Sequence, residues 1–552
     1  MAIIPSIRGT LSQMPGCCTL PQPLTYEGSC SETIVNIFVS RARRLPGLGR
    51  LSVQKAEEGF LVFRKVKKLA PEAYRLLITE EGITCEASGD AGFNLALVTL
   101  YQLLVEEGPD LTCVYLEDEP EMVWRGFMLD VCRHFFDASE VKKLIEACAL
   151  LKMNRLHWHL SDDQGYRIES KRFPRLNEIS SHRAQTLGDG VPHGGYYTQD
   201  EIREIVAFAA DRGIEIIPEI DLPGHTTAIL AAYPEFSCTG EPLNVAECFG
   251  ILPRILCAGK EEVYTFLSQL LDEVTTLFPS RFFHIGGDEA PKGEWEKCPH
   301  CGKALKDHGL DNYEALQAHF TGRLVKMLEK KGKTAIAWNE AMASGQLDPK
   351  VVAHYWIEWG PSYCQAEAAK GRKFILSNMH DYYLDYPLAI VTMKGILAYQ
   401  PNIQGQPLDK EAVWGLEAPL WTEWVGDTAR LEYLAFPRLS ALAQRAWSGV
   451  TDYDTFLKAL PAHIRQLNRM GIKAAPFEDA TIHGEAAFEQ ITDHFANMAK
   501  TMNIGKSGEM TPEQLQAMAQ RLRGFLASFM QGSYTDEEID EVLRRLSARM
   551  MG

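Results

Sequence analysis

The chain has 552 residues, 46% hydrophobic, 23% charged and 10% aromatic, a globular balance that excludes a disordered, fibrous or low-complexity protein. Its 56 basic and 73 acidic side chains leave a net charge of −17, which repels phosphate backbones and anionic lipid and argues against general nucleic-acid binding. No apolar run of about 18 residues exists, so no membrane-spanning helix is expected.

The first residues, MAIIPSIRGTLSQMPGCC, carry neither the basic region nor the continuous apolar stretch of a secretory signal, so a cytoplasmic location is the expectation. Thirteen cysteines, an odd number scattered over a large chain, read as reduced thiols rather than a disulfide framework. The tight cluster Cys298-Pro-His300-Cys301 offers at most three ligands where a structural zinc needs four. No metal or other cofactor is therefore assigned; whether Cys298, His300 and Cys301 bind zinc is left open.

In chain order, residues 1–120 read as an N-terminal α/β accessory domain. SETIVNIFVS and YRLLITEEGITCEAS alternate in the β manner, FNLALVTLYQLLVEEG has helical spacing, and the basic run Arg64–Lys68 is expected on a solvated strand edge. Leu116-Glu-Asp-Glu-Pro120 reads as the linker out of it. Over residues 121–475, eight strand-like runs alternate with helices: 125–131, 155–160, 214–220, 282–287, 334–338, 351–356, 373–378 and 413–421. SEVKKLIEACALLKM places Val141, Leu144, Ile145, Cys148 and Leu151 on one face, with Ser139 as N-cap; TQDEIREIVAFAADRG ends on Gly213. Eight such units predict a (β/α)8 TIM barrel of α/β class, because parallel strands need helical crossovers. Residues 476–552 form a small C-terminal helical region whose simplest role is packing on the barrel or on a second subunit, which would make a homodimer.

A barrel of this kind works at the carboxyl ends of its strands. There the sequence delivers Arg133, Asp162, Asp163, Gln164, Asp221, His225, Asp288, Glu289, Trp338, Trp356, Tyr383, Asp385, Trp421 and Glu423. Aromatic faces stack on sugar C–H faces, carboxylates and arginine bind paired hydroxyls, and a protonated carboxyl can donate to a glycosidic oxygen. No phosphate loop, dinucleotide fingerprint or nucleophile elbow is present.

Several runs resemble glycoside hydrolase family 20, the β-N-acetylhexosaminidases. They are His284-Ile-Gly-Gly-Asp288-Glu289, Asp130-Val-Cys-Arg133-His134-Phe, His157-Trp-His159-Leu-Ser-Asp162-Asp163-Gln164, Pro218-Glu-Ile-Asp221-Leu-Pro-Gly-His225, Tyr383-Leu-Asp385 and Trp421-Thr-Glu423. All fall in order at strand ends. The resemblance implies substrate-assisted retaining catalysis, in which the 2-acetamido oxygen of the substrate attacks the anomeric carbon to form an oxazolinium. Glu289 would be the general acid and later base, Asp288 would hold the acetamido N–H, and Tyr383 would orient the acetamido oxygen. Arg133 and Glu423 would bind ring hydroxyls, with Asp385 helping at the 6-hydroxyl. Trp338, Trp356 and Trp421 would wall the sugar. Asp162 and His225 would orient Glu289, whose pKa burial and Asp288 should raise. The partner would be a glycan ending in β-linked N-acetylglucosamine, with N-acetylgalactosamine in the same class.

Other readings stay open: a lacto-N-biosidase-like enzyme with a longer pocket, and a catalytically silent sugar-binding barrel. Glu340 reads as a loop carboxylate, Asp163 and Gln164 as loop-fixing residues, and Trp414 and Trp447 as structural. His157 and His159 are expected between barrel and helices, opposite Trp158. Cys132 is either harmless or a source of thiol sensitivity.

Overall fold

The computed structural model describes residues 3–358, 360–501, 512–530 and 532–551. Its centre is a closed barrel of eight parallel strands, and each predicted strand is found. In order they are Trp124–Asp130, Arg155–His159, Glu215–Glu219, Phe282–His284, Thr334–Trp338, Val352–Tyr355, Phe374–Leu376 and Val413–Leu420. Consecutive strands pair, and the eighth returns to the first over six residue pairs. The crossovers after the fifth to seventh strands shrink to single turns and short helices: Asn339–Met342, Cys364–Ala369, Met379–Tyr382 and Met393–Ala398.

The first crossover helix is Ala138–Leu150, and its cap is Asp137 rather than Ser139. Asp137 accepts from the Ser139 and Glu140 amides at 2.8 and 3.1 Å, while Glu140 accepts from the Asp137 amide at 3.0 Å. Thr198 and Glu201 form the same reciprocal cap on Gln199–Ala210, which stops before Gly213 in a left-handed conformation (φ 77°).

The accessory domain is a seven-stranded mixed sheet with the helices Glu32–Ala42 and Asp90–Glu107. SETIVNIFVS is helix, not strand: Val35, Phe38, Val39 and Ala42 are buried at i, i+3, i+4 and i+7, so tertiary packing overrides a run rich in β-branched residues. Leu116–Asp118 are not linker but the end of the strand Asp110–Asp118, paired with Leu11–Thr19 and Tyr74–Thr79. The strand Leu61–Lys65 is paired on both sides over Leu61–Phe63, while Arg64 and Lys65 at its end are exposed and paired on one side only.

Helix Asp90–Glu107 is buried from Gly92 to Leu104 because it lies between its own sheet and the barrel. At that seam Lys152 and Asp118 are fully buried and 2.8 Å apart. Tyr74 and the Trp447 indole N–H bind the same carboxylate, so Trp447 is structural. Trp414 stacks on Trp124 at the amino end of the barrel.

Helices Gly484–Thr501, Pro512–Met530 and Asp536–Met551 make the C-terminal region. They pack on the barrel at the loop after its seventh strand. Phe529 meets His380 and Tyr386 (ring centroids 4.3 and 5.1 Å), Gln490 accepts from the Ala389 amide, and Tyr534 donates to the Ala389 carbonyl. That loop carries Tyr383 and Asp385. No helix among the described residues is long and apolar enough to cross a membrane.

Candidate active site

Above an apolar layer of Trp124, Ile217, Phe282, Ile336, Val352 and Ile375, the barrel interior turns polar. His157 and His159 point into it, and Trp158 is the side chain packed between strand and helices, against Tyr197 and Phe278. In a parallel barrel both strand faces are buried, so alternation alone could not say which was inward. Glu219 is the hub: His157 Nε2 at 2.9 Å, His159 Nδ1 at 2.5 Å, His284 Nδ1 at 2.8 Å and the Trp338 indole N–H at 3.0 Å all reach its carboxylate. Burial opposes the charge on Glu219, but these histidines hold the carboxyl well below the usual range. His159 passes the chain of contacts to Asp162 at 2.8 Å.

Asp162 begins the pocket. It pairs with Arg133 Nη2 at 2.9 Å and with His225 Nδ1 at 3.3 Å. Arg133 also meets Asp130 at 3.1 Å, the Gln164 side-chain oxygen at 3.0 Å and Glu423 at 3.5 Å, and its guanidinium lies 4.9 Å from the centre of the Trp421 ring. Gln164 therefore does more than fix a loop, since it aims Arg133. Asp130 binds the Thr422 amide and hydroxyl as well, which ties the ends of the first and eighth strands and so sets Arg133 against Trp421 and Glu423.

The fourth strand delivers Asp288 and Glu289 through two glycines. A Cβ on Gly286 would lie 1.6 Å from Asp221 Oδ1, and the Gly287 N–H donates to that oxygen at 3.0 Å. The pair is glycine because the chain wraps Asp221 with left-handed backbone (φ 63° and 105°). Glu289 and His225 also take positive φ, 44° and 50°, a strained choice for residues with side chains. The turn aims the Glu289 amide at Glu340 Oε2, 2.5 Å away.

His225 Nε2 stands 3.6 Å from Glu289 and 3.8 Å from Asp288, and its Nδ1 faces Asp162 and Asp163. Against burial, Asp162 and the carboxylates around it keep the imidazole protonated well above its usual range. Burial and neighbouring Asp221 push the Asp288 carboxyl well up, and its Oδ1 is buried without a hydrogen-bond partner. Burial, offset in part by His225, lifts Asp221 to about 7; burial and Asp288 lift Glu340 to about 7. Three carboxyls around Glu289, whose own side chain is 29% exposed, are thus pushed upward. Clustered carboxyls pushed upward in this way mark functional sites.

Aromatic rings close the other side. Trp356 and Tyr383 lie nearly parallel at 6.2 Å, Tyr383 meets Trp421 at 6.2 Å, and Trp421 meets Trp338 at 5.9 Å. Trp338 is the floor, 1% exposed and stacked on His354 at 4.1 Å. Asp385 sits nearby, raised to about 7 by burial and then by Glu423. At the rim Trp424 is 69% exposed and edge-on to Phe249.

All eleven residues singled out from sequence meet in this one pocket. Asp221, placed at a strand end by the sequence but given no role there, joins them, and so does Glu340, which read as a loop carboxylate and reaches the site only because of how the Glu289 backbone turns. Cys132 is fully buried, donates toward the His159 carbonyl, and burial pushes its thiol well up, which removes the basis for thiol sensitivity.

An acid pair, a cationic hydroxyl clamp and an aromatic box at the carboxyl ends of a (β/α)8 barrel define a glycoside hydrolase. The catalytic-domain model of glycosyl hydrolase family 20 matches residues 122–450, and the model of that family's domain 2 matches 28–119. The chain belongs to glycosyl hydrolase family 20.

Among relatives, a beta-hexosaminidase of Porphyromonas gingivalis is 38% identical over 428 residues, 73% of this chain but 54% of that protein, so the match spans about half of the relative's length. One from Akkermansia muciniphila is 36% identical over 420 residues, 72% of this chain and 84% of that one. Among solved structures, the exo β-N-acetylglucosaminidase of Vibrio harveyi, in complex with N-acetylglucosamine, superposes with a TM-score of 0.77 at 28% identity, over 86% of this chain and 78% of that one. The β-N-acetylhexosaminidase of Bacteroides fragilis gives 0.75 at 32%, over 87% and 99%.

Proposed function

We propose that the protein is an exo-acting β-N-acetylhexosaminidase that removes terminal β-linked N-acetylglucosamine, and N-acetylgalactosamine within the same class, with retention of configuration. The observation that carries this reading is the division of labour between two adjacent carboxyls. Glu289 is the more exposed and open to a leaving group; Asp288 is buried, with one carboxylate oxygen that has no hydrogen-bond partner.

In the first step the acetamido oxygen bonds to the anomeric carbon, the glycosidic C–O bond breaks, and the Glu289 carboxyl proton passes to the departing oxygen. Asp288 accepts the acetamido N–H and faces the positive charge that spreads over the oxazolinium ring. Tyr383 donates to the acetamido oxygen and fixes its angle of attack, while Trp338, Trp356 and Trp421 enclose the methyl group and ring. In the second step the Glu289 carboxylate takes a proton from water, whose oxygen bonds to the anomeric carbon as the acetamido oxygen leaves. Arg133, Glu423 and Asp385 bind ring hydroxyls throughout. Asp162 and His225 are positioning residues: the imidazolium held by Asp162 sets the orientation of Glu289.

The decisive experiment compares a chromogenic N-acetyl-β-glucosaminide with the matching β-glucoside, for the wild type and Glu289→Gln. Cleavage of the first alone, lost in the variant, is expected. Cleavage of both would remove the acetamido group as nucleophile. Cleavage of neither, with turnover of a disaccharide glycoside, would make the protein a biosidase. The reading extends to a cytosolic location, where thirteen cysteines outside any disulfide stay reduced, and to a homodimer, tested by light scattering.

A further inference from the structure

The cysteines at 298 and 301 do not stand alone. The long loop after the third strand brings Cys238 and Cys257 to them, and the four sulfur atoms all lie within 4.8 Å of one another. Cys238 and Cys301 are 3.8 Å apart, Cys257 and Cys298 3.7 Å, and Cys257 and Cys301 3.6 Å. Zinc–sulfur bonds of about 2.3 Å in a tetrahedron require sulfur–sulfur edges of about 3.8 Å. A disulfide requires about 2.0 Å. All three measured edges match the tetrahedron. His300, in the sequence cluster, is exposed and outside the set.

The backbone around the sulfurs is built to this arrangement. Cys298 and Cys301 straddle the start of helix Pro299–Asp307, where exposed amides favour thiolate charge. A Cβ on Gly259 would lie 2.2–2.4 Å from the backbone of His300 and Cys301, so only glycine lets the two loops approach this closely. The Trp295 indole N–H donates to the Leu256 carbonyl at 2.9 Å, fixing the chain beside Cys257. Cys257, Cys298 and Cys301 are buried and Cys238 half-buried, leaving no open coordination position for a substrate. A closed set of four thiolates is the donor chemistry of a structural zinc.

We propose that Cys238, Cys257, Cys298 and Cys301 bind one zinc ion as thiolates, releasing four thiol protons, and that this ion staples the loop carrying His225 to the loop carrying Asp288 and Glu289. The chain needs such a staple because both residues at the tip, His225 and Glu289, hold strained backbone. The ion takes no part in bond breaking, and its presence does not depend on the glycan specificity proposed above.

The test is elemental analysis of the full chain purified without chelators. One zinc per chain is expected, released on titration with an organomercurial and detected by a chromogenic chelator. Growth on cobalt should give the thiolate-to-cobalt charge-transfer band of a tetrahedral tetrathiolate site. Cys298→Ser with Cys301→Ser should lose the metal and the band, and melt at a lower temperature. Should that variant fail to fold, metal content and mercurial release of the wild type decide. Zinc below about 0.1 per chain, iron in its place, or two disulfides among the four cysteines by mass spectrometry after alkylation without reductant would each overturn the proposal.

Discussion

Asp288→Asn removes a charge while keeping the shape of the side chain, so it isolates what the charge does. In the free enzyme that charge is unfavourable: the group is 8% exposed, Oδ1 has no partner, and burial with Asp221 alongside holds the carboxyl well up. The charge becomes favourable when a positive ring forms beside it. A unit charge pair about 4 Å apart at an effective dielectric of about 20 is worth about 4 kcal/mol, or about a thousandfold in rate. The amide dipole of Asn recovers part of this, so kcat on the chromogenic N-acetyl-β-glucosaminide should fall about a hundred- to a thousandfold, with KM within about threefold. The wild type should lose activity as pH falls and Asp288 takes up a proton, and that acidic limb should be missing from the variant. A kcat loss below about tenfold, or an unchanged acidic limb, would refute the assignment of transition-state charge stabilisation to Asp288.

Arg133→Lys cannot span Asp130, Asp162 and Glu423 together, and should lower kcat/KM by about a hundredfold, mostly through KM; steady-state kinetics would show it. His157 is fully buried and, despite burial, raised from 6.5 to about 9 by Glu219 and Glu417. Its stabilisation is complete below pH 6.5 and is lost as pH rises through 9, on the order of 3 kcal/mol. The thermal midpoint should therefore drop across that window, and His157→Gln should flatten the profile. Trp424→Ala removes an exposed ring from the rim and should raise KM for a β-linked N-acetylglucosamine oligosaccharide several-fold while leaving the thermal midpoint unchanged.

The barrel was legible because each strand is a short apolar run next to a turn signal, and the pocket was legible because chemistry in this fold is confined to strand ends. What escaped was set by contacts between distant residues or by a choice of face. Period-two alternation put His157 and His159 on one side of Trp158, yet could not name the inner side. Cys298 and Cys301 supply half of their cluster; Cys238 lies 63 residues away from Cys301 and joins it only through the loop path. The roles of Asp221 and Glu340 depend on the left-handed turns at Gly286, Gly287 and Glu289, which no side-chain pattern announces. SETIVNIFVS reads as strand locally and is helix because one of its faces is needed by a sheet formed elsewhere in the chain.

The seam between accessory domain and barrel carries a consequence for how the molecule comes apart. Lys152 and Asp118 belong to different domains, and each is the other's counter-ion in a place without water; Trp447 from the barrel and Tyr74 from the sheet seal both. Helix Asp90–Glu107 is interior to the pair rather than surface to either half. Neither half can open while the other keeps its packing, so the inheritance boundary near residue 120 is not a boundary of cooperativity. Two modules by descent are one by thermodynamics, and heating should melt them in a single transition.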